Sequence, residues 1–366
     1  MEINKIIQGD ARKVLKTFSA ERVDMCITSP PYWGLRDYGV NELIWDGKEN
    51  CKHKFALKHI KQKPSKQGVI SNKAKYGQGY RNFKRGFCKK CGAWKGQLGL
   101  EPTFDLYIKH LCDIFDGVQR VLKKTGTCWV NIGDSYLGSN QGYGTTKRNT
   151  NTGFQDVRKG YFAASKQKTP LSNYKLKAKC LAMVPFRFAL EMVNRGWILR
   201  NVIIWHKPNC MPCSVKDRFT IDFEYLFFFS KSKKYYFKQQ REPHKKESIE
   251  RTKHKWNGHR EPMSSFRGMD IKKMCHPKGR NKRCVWAINT KSFKGAHFAV
   301  YPEDFINIPI KAGCPKNGIV LDPFLGSGTS CLVALKQNKS FLGIELSPDY
   351  IRIAKRRIIN FLKNGG

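Results

Sequence analysis

The sequence predicts an α/β fold: a mostly parallel, twisted sheet with helices on both faces. Three observations predict it. Short apolar strand-like runs alternate with helix-period segments along the chain. One strand, Val23 to Ile27, is stopped by Ser29-Pro30-Pro31-Tyr32. Another, Ile319 to Leu321, runs through Asp322 into a glycine turn and a helix start at Ser330. At 366 residues the chain suffices for one large unit with insertions or for two domains.

Taken in order, Lys5 to Ile7 reads as a strand, Gly9-Asp10 as a break, Ala11 to Phe18 as a helix and Val23 to Ile27 as a strand. Two successive prolines lack amide donors and fix φ. Pro30-Pro31 therefore ends that strand and thrusts Tyr32-Trp33 out at its carboxyl end, where open α/β sheets place ligands. From Lys48 to Arg85 the residues are mainly Lys, Gln, Gly and Ser, the composition of a mobile insertion. Helix periodicity returns at Tyr107 to Leu122 after Pro102-Thr103, with Leu106, Leu111, Ile114, Val118 and Val121 on one stripe. Cys128 to Ile132 is a strand ending at Gly133-Asp134-Ser135, and Leu137 to Leu176 is polar and basic. Met183 to Asn194 reads as a helix capped by Gly196, and Ile198 to Trp205 and Phe223 to Phe229 as strands. Lys231 to Lys294 is a third basic region, interleaved with Tyr235, Tyr236, Phe237, Trp256, Phe266 and Trp286. Helix Glu303 to Ala312, strand Gly318 to Leu321, helix Ser330 to Gln337, strand Phe341 to Ile344 and helix Pro348 to Leu362 complete the reading.

The formal net charge of +41, from 69 Lys+Arg against 28 Asp+Glu, implies a polyanionic partner, and nucleic acid is the natural one. A lysine-rich composition inherited from an AT-rich genome explains part of the excess and not the whole. No apolar run approaches the ~18 residues of a membrane span, and the start of the chain lacks the apolar stretch of a signal peptide. The expected setting is the cytoplasm. The 13 cysteines are then reduced, as packing thiols, metal ligands or catalytic groups.

Two constellations carry chemistry. In Asp322-Pro323-Phe324-Leu325-Gly326-Ser327-Gly328-Thr329 the glycines let backbone approach a ligand closely, and Glu345, at the end of the next strand, is placed to accept from ribose hydroxyls. The loop lacks the Gly-Lys-Ser/Thr ending of a phosphate-binding loop. An adenosine-bearing ligand without phosphates, such as S-adenosylmethionine, fits better; a tight turn with a surface glutamate is the plainer alternative. The second constellation is Ser29-Pro30-Pro31-Tyr32. An exocyclic amine of cytosine or adenine is a poor nucleophile because its lone pair is conjugated with the ring, and acceptors aimed at its hydrogens localise that pair. Ser29 offers a hydroxyl oxygen, Pro30 a carbonyl, Pro31 a fixed turn, and Tyr32 a face for a base extruded from the duplex. A Pro-Pro turn with a core tyrosine is the alternative.

Together, Thr28-Ser29-Pro30-Pro31-Tyr32-Trp33 and Asp322 to Thr329 resemble the amino-methylating DNA methyltransferases of the N4-cytosine/N6-adenine family, in the permuted β-class order with the catalytic motif first. Gly9-Asp10-Ala11, Asn131 to Ser135, Lys207-Pro208-Asn209 and His297-Phe298-Ala299-Val300-Tyr301-Pro302 also look like family segments, so the resemblance covers nearly the whole chain. It implies a Rossmann-like, S-adenosylmethionine-dependent fold. It further implies that Phe324, Gly326, Gly328 and Thr329 line the cofactor beside Asp322, that Glu345 holds the ribose, that Asp10 lies near the adenine, and that His297, Phe298 and Pro302 close the methionine side. A serine opening the tetrapeptide resembles the N4-cytosine branch more than the N6-adenine one. Residues 1–230 then form the catalytic half, with an insertion at 48–95 and a basic loop at 137–180. Residues 231–294 are expected to recognise the target in double-stranded DNA, and residues 295–366 complete the cofactor half. Rival readings are an RNA or protein amino-methyltransferase and an inactive DNA-binding homologue. The sequence leaves open a cognate restriction endonuclease, a phage origin and the oligomeric state.

Cys51-x-His53 and Cys88-x-x-Cys91 bracket the first insertion. Cys88-Lys89-Lys90-Cys91-Gly92 puts two thiolates on one tight turn, and four ligands would satisfy a structural, tetrahedral Zn²⁺; reduced surface or core cysteines are the alternative. Pro212-Cys213 matches the dipeptide used for covalent attack by C5-cytosine enzymes, but direct transfer to an amine needs no enzyme nucleophile.

Overall fold

The computed structural model describes residues 2–35, 38–55, 58–62, 81–137, 176–253, 275–291 and 300–363. Its centre is an eight-stranded sheet. The chain supplies β1 (Lys5–Gln8), β2 (Val23–Thr28), then β3 (Leu43–Trp45), β4 (Lys58–Gln62), β5 (Arg81–Phe87) and β6 (Trp94–Gly96) of a separate sheet, followed by β7 (Leu122–Ile132), β8 (Ile198–His206) and β9 (Phe223–Ser230). A short pair, β10 (Arg241–Glu242) and β11 (Arg280–Asn281), precedes β12 (Val285–Ala287), β13 (Ile319–Asp322) and β14 (Ser340–Glu345). The central order is β1-β14-β13-β2-β7-β9-β8-β12, and each neighbouring pair is parallel except the two that β9 makes.

Seven helices are described: α1 (Ala11–Thr17), α2 (Phe104–Val121), α3 (Val184–Asn194), α4 (Lys246–Lys253), α5 (Glu303–Gly313), α6 (Thr329–Lys336) and α7 (Pro348–Lys363). Local chemistry sets their ends. Asp10 caps α1, accepting from the Arg12 amide at 3.0 Å, and Thr103 caps α2, accepting from the Leu106 amide at 3.2 Å. Helix α3 closes on Gly196 at φ +88°, the left-handed conformation expected of a glycine just past a helix end.

Both faces of the sheet are covered, and the strands alternate between two cores. On β9, Phe227 and Phe229 face the cluster with α2 and α3, whereas Leu226 and Phe228 face the cluster with α5, α6 and α7. Because both faces are buried, these strands are continuous apolar runs, the pattern that made them legible. No helix among the described residues is long and apolar enough to cross a membrane.

The topology fixes where a ligand goes. Strand β13 leads through α6 to β14 on one side, and β2 leads through α2 to β7 on the other. The direction of winding therefore reverses between β13 and β2, which pair at Val320↔Met25 and Leu321↔Cys26. The crevice outside the carboxyl ends of such a pair is where doubly wound sheets bind ligands.

Two expectations differ from the structure. Around the interval expected to be a polar insertion, β3-β6-β5-β4 form an antiparallel sheet, with Trp45 and Trp94 buried. The basic interval 231–294 is not wholly separate either: β12 joins the edge of the central sheet, and Trp286 is core, packed edge-on against Phe305. Trp256 and Phe266 lie outside the described residues.

Candidate active site

At the switch point, the carboxyl ends of β13 and β2 are tied together just beyond their ladder. Thr28 Oγ1 donates to Asp322 Oδ1 at 2.6 Å. The same oxygen takes the Phe324 amide at 3.0 Å, and Oδ2 takes the hydroxyls of Ser330 at 2.5 Å and Tyr301 at 3.2 Å. Asp322 is 1% exposed; burial pushes its carboxyl above the ordinary range, and these four donors pull against that shift. Asp322 thus commits both oxygens to protein groups. It fixes the turn out of β13 and the strand end that carries Ser29.

Beyond Thr28 the chain turns at Pro30-Pro31. The Pro31 carbonyl accepts from the Tyr107 hydroxyl of α2 at 2.8 Å. Behind it lies Gly99 at φ +89°, where a Cβ would come within 3.1 Å of the Tyr32 carbonyl oxygen and 3.3 Å of Pro31. Only glycine permits both that backbone and that approach. The Trp33 indole donates to the Glu101 carbonyl at 3.0 Å, and Ser135 Oγ donates to the Trp33 carbonyl at 2.8 Å.

Ser29 and Tyr32 are linked through their hydroxyls, with Ser29 Oγ donating to the Tyr32 hydroxyl at 3.2 Å. That hydroxyl lies 2.7 Å from Glu224 Oε2 and 3.0 Å from Asn131 Oδ1. Lys207 pairs with the other oxygen of Glu224. Burial, then the negative charge of Glu224, push the Tyr32 phenol well above its ordinary value, so Tyr32 keeps its proton and donates it in a hydrogen bond to an acceptor. The backbone of Gly133 lies against the Tyr32 ring; a Cβ there would be 2.8 Å from Cε2.

The glycine loop follows β13, with Gly326 at φ +54° and Gly328 at φ +81°. A Cβ on Gly328 would fall 2.7 Å from Ala354 Cβ, so this glycine lets α7 pack onto the start of α6. Arg357 of α7 donates to the Ser327 carbonyl at 2.9 Å and to Thr329 Oγ1 at 2.8 Å, and Thr329 is buried. Glu345, 9% exposed, accepts the Gly326 amide on Oε2 and the Ser347 amide on Oε1, each at 2.8 Å. Burial raises its carboxyl above the ordinary range against those bonds. A carboxylate oxygen has two lone pairs, so each retains acceptor capacity. Phe324 is half-buried on the loop.

Asp10 stands at the same edge, since β1 pairs with β14 at Gln8↔Glu345 and the Gly9 amide donates to the Glu345 carbonyl at 3.0 Å. Its carboxylate is committed to Arg12, with Nη2 at 2.6 Å, and that guanidinium lies 3.7 Å over Trp45. Pro302 starts α5 beside Tyr301, whereas His297 and Phe298 lie outside the described residues. Cys51, His53, Cys88 and Cys91 come together elsewhere, on the insertion sheet, with ligand atoms within 4.8 Å of one another. Cys213 is exposed.

Sequence reasoning placed Asn131, Lys207 and Tyr301 only within family-like segments, and it missed Glu224 and Arg357. For Glu224 the signal was present: one carboxylate inside the apolar run Phe223 to Phe229. A groove of about 840 Å³ lined by Arg200, Lys233, Lys234 and Tyr235 lies at the opposite, amino edge of the strands and is separate from this site.

A family described as DNA methylase, that of the N6/N4 methyltransferases, matches residues 23–356. The Type II methyltransferase M.SmaI of Serratia marcescens is 36% identical over 355 residues, 97% of this chain and 90% of that protein. M.XycI of Xanthomonas campestris pv. cyanopsidis is 34% identical over 353 residues, 96% of this chain and 87% of that one. Among solved structures, the PvuII DNA methyltransferase (cytosine-N4-specific) superposes with a TM-score of 0.53 at 14% identity, covering 100% of this chain and 94% of that one. A putative DNA modification methylase from Thermus thermophilus, complexed with S-adenosyl-L-methionine, gives 0.51 at 17% identity over 98% and 94%.

Proposed function

Because the chain belongs to the N4-cytosine/N6-adenine DNA methylase family, we propose that it transfers a methyl group from S-adenosylmethionine to the exocyclic N4 of cytosine in duplex DNA. The observation that carries this reading is the directed hydrogen-bond chain from Ser29. A serine oxygen accepts well only when its own proton is engaged elsewhere. Here that proton goes to the Tyr32 hydroxyl, at 3.2 Å, and the Tyr32 proton to Glu224, at 2.7 Å. The Ser29 lone pairs are left for an amine hydrogen. The Pro31 carbonyl is taken by Tyr107, which leaves that of Pro30 as the second acceptor. The Tyr32 ring, held at its hydroxyl and along Gly133, is the surface on which an extruded base stacks.

The other half of the crevice fits the cofactor. Glu345 has acceptor capacity for a ribose diol, Phe324 and the glycine loop offer an apolar wall and close backbone, and Tyr301, bonded to Asp322, with Pro302 next to it in the chain, is offered for the methionine side. Bound there, S-adenosylmethionine supplies an electrophilic methyl on a sulfonium. Asp322, Thr329 and Asp10 act as positioning residues: their polar atoms hold the loop, α6 and α1. Holding donor and amine in line supplies the main acceleration, and the proton released from the amine passes to solvent.

The choice of cytosine rests on the serine that opens the tetrapeptide, and the choice of DNA on the basic excess. Given its Type II relatives, we assign the protein the modification role beside a cognate endonuclease. The test is to incubate the protein with labelled cofactor and either duplex DNA or RNA, digest, and analyse the nucleosides by mass spectrometry. N4-methylcytosine from DNA is expected. N6-methyladenine alone reverses the base assignment, and label confined to RNA overturns the polymer assignment.

A further inference from the structure

Two arms from opposite ends of the insertion meet at one point. Cys51 Sγ lies 4.0 Å from Cys88 Sγ, Cys91 Sγ lies 3.3 Å from His53 Nδ1, and all four ligand atoms fall within 4.8 Å of one another. Tetrahedral geometry sets what those separations should be. With Zn–S bonds of ~2.3 Å and a Zn–N bond of ~2.0 Å, sulfurs on a common ion lie ~3.8 Å apart and sulfur and nitrogen ~3.5 Å. The second arm has the form of a metal-binding turn: the Lys90 amide points at Cys88 Sγ at 3.4 Å, the Gly92 amide returns to the Cys88 carbonyl at 3.0 Å, and Gly92 sits at φ +76°. The first arm is held to it, since the Lys89 amide donates to the Lys54 carbonyl at 2.9 Å and Phe55 bridges Cys88. Among the described residues this is the one group of His, Cys, Asp or Glu side chains with ligand spacing.

We propose that Cys51, His53, Cys88 and Cys91 bind one Zn²⁺ in a closed, structural Cys₃His site that staples the insertion. Soft thiolate donors with one imidazole select zinc over hard cations, and four protein ligands leave no position for substrate. Lys52, Lys54, Lys89 and Lys90, adjacent to the ligands in sequence, offset the single net negative charge of three thiolates and one Zn²⁺.

The staple reaches the catalytic turn through packed side chains. Cys91 leads directly into β6, and Trp94 of β6 and Trp45 of β3 stack on His110 of α2, with ring centroids at 5.6 and 4.5 Å. His110 joins Asp46 at 3.1 Å to Glu101 at 3.0 Å, and Glu101 accepts the amide of Gly99, the residue behind Pro31-Tyr32. Losing the metal should therefore loosen the Ser29–Tyr32 turn. Only this consequence for turnover rests on the methyl-transfer reading; the metal site itself does not.

The experiment uses full-length protein produced in zinc-supplemented medium and dialysed against metal-free buffer. About one zinc per chain is expected by elemental mass spectrometry, retained in Cys213→Ser and lost in Cys51→Ser and Cys91→Ser. In case those two variants fail to fold, the wild type is also exchanged with Co²⁺, which should give thiolate-to-cobalt absorption and intense tetrahedral d–d bands. Chelation should then expose three further thiols to alkylation. Wild type carrying less than about a tenth of a zinc per chain, with no cobalt–thiolate absorption, overturns the proposal whether or not the protein methylates DNA.

Discussion

In the proposed reaction Ser29 can serve as an acceptor only while the hydrogen bonds behind it keep their direction. Glu224 sets that direction, with Asn131 Oδ1 beside it, because a carboxylate can only accept; Lys207 pairs with its other oxygen. Glu224→Gln keeps the size but introduces an amide that can donate to the Tyr32 hydroxyl; the Tyr32 proton is then shared between Asn131 Oδ1 and Ser29, and whenever it turns to Ser29 the serine oxygen gives a lone pair to protein. One misdirected buried hydrogen bond is worth ~1–3 kcal/mol. The expected result is a fall in kcat of about ten- to a hundredfold, with KM for DNA and for cofactor changed less than about threefold. Single-turnover methylation measures it. Full activity in Glu224→Gln would show that Ser29 does not depend on this chain.

At the scale of elements, the glycine loop is shaped as much by α7 as by any ligand. Gly328 is left-handed at φ +81°, and a methyl there meets Ala354 at 2.7 Å. An alanine costs ~1–2 kcal/mol for the backbone and ~1–3 kcal/mol for overpacking. Gly328→Ala should therefore lose ~2–5 kcal/mol in urea unfolding, more than Gly326→Ala; equal stability of the two would refute the packing account. The glycines were legible in the sequence, but their division of labour was not, since Ala354 is remote in the chain. The same reason separates what was readable elsewhere. The strands β2, β7, β9, β13 and β14 are apolar on both faces, and Pro30-Pro31 ends β2 by removing donors, so these elements declare themselves locally. Strands β3 and β6 of the second sheet do not: they are three residues each, set among lysines and glycines, and Trp45 and Trp94 on them stack on His110 of α2. Glu224 reaches Tyr32 only because β9 runs antiparallel beside β7, with Tyr225 opposite Ile132. The cap and the Arg12 partnership of the Asp10 carboxylate, beside the β14 edge, were not legible from Gly9-Asp10 alone.

For the whole molecule the charge is distributed unevenly. The intervals 48–95, 137–180 and 231–294 hold 44 of the 69 lysines and arginines and only 7 of the 28 acids, so the rest of the chain is close to neutral. A genome-wide bias toward lysine would have spread the excess over the α/β body as well. Confined to these intervals, it matches a function the body lacks: neutralising phosphates around a base drawn to the carboxyl edge. Binding would then be dominated by counterion release. A protein neutralising 6–10 phosphates loses ~10³–10⁵ in affinity between 50 and 200 mM salt, with a slope of about −0.9 per phosphate in a double-logarithmic plot. We expect the affinity for a duplex of about 25 base pairs to fall in that range, and cofactor binding to change little, because the glycine loop and Glu345 lie in the near-neutral body. Both follow from titrations at several salt concentrations. The same excess makes the free protein repel itself, so duplex DNA should raise the melting temperature while moderate salt alone raises it less. A flat salt dependence for DNA would mean that the basic intervals do not contact phosphate, and the charge would need another partner.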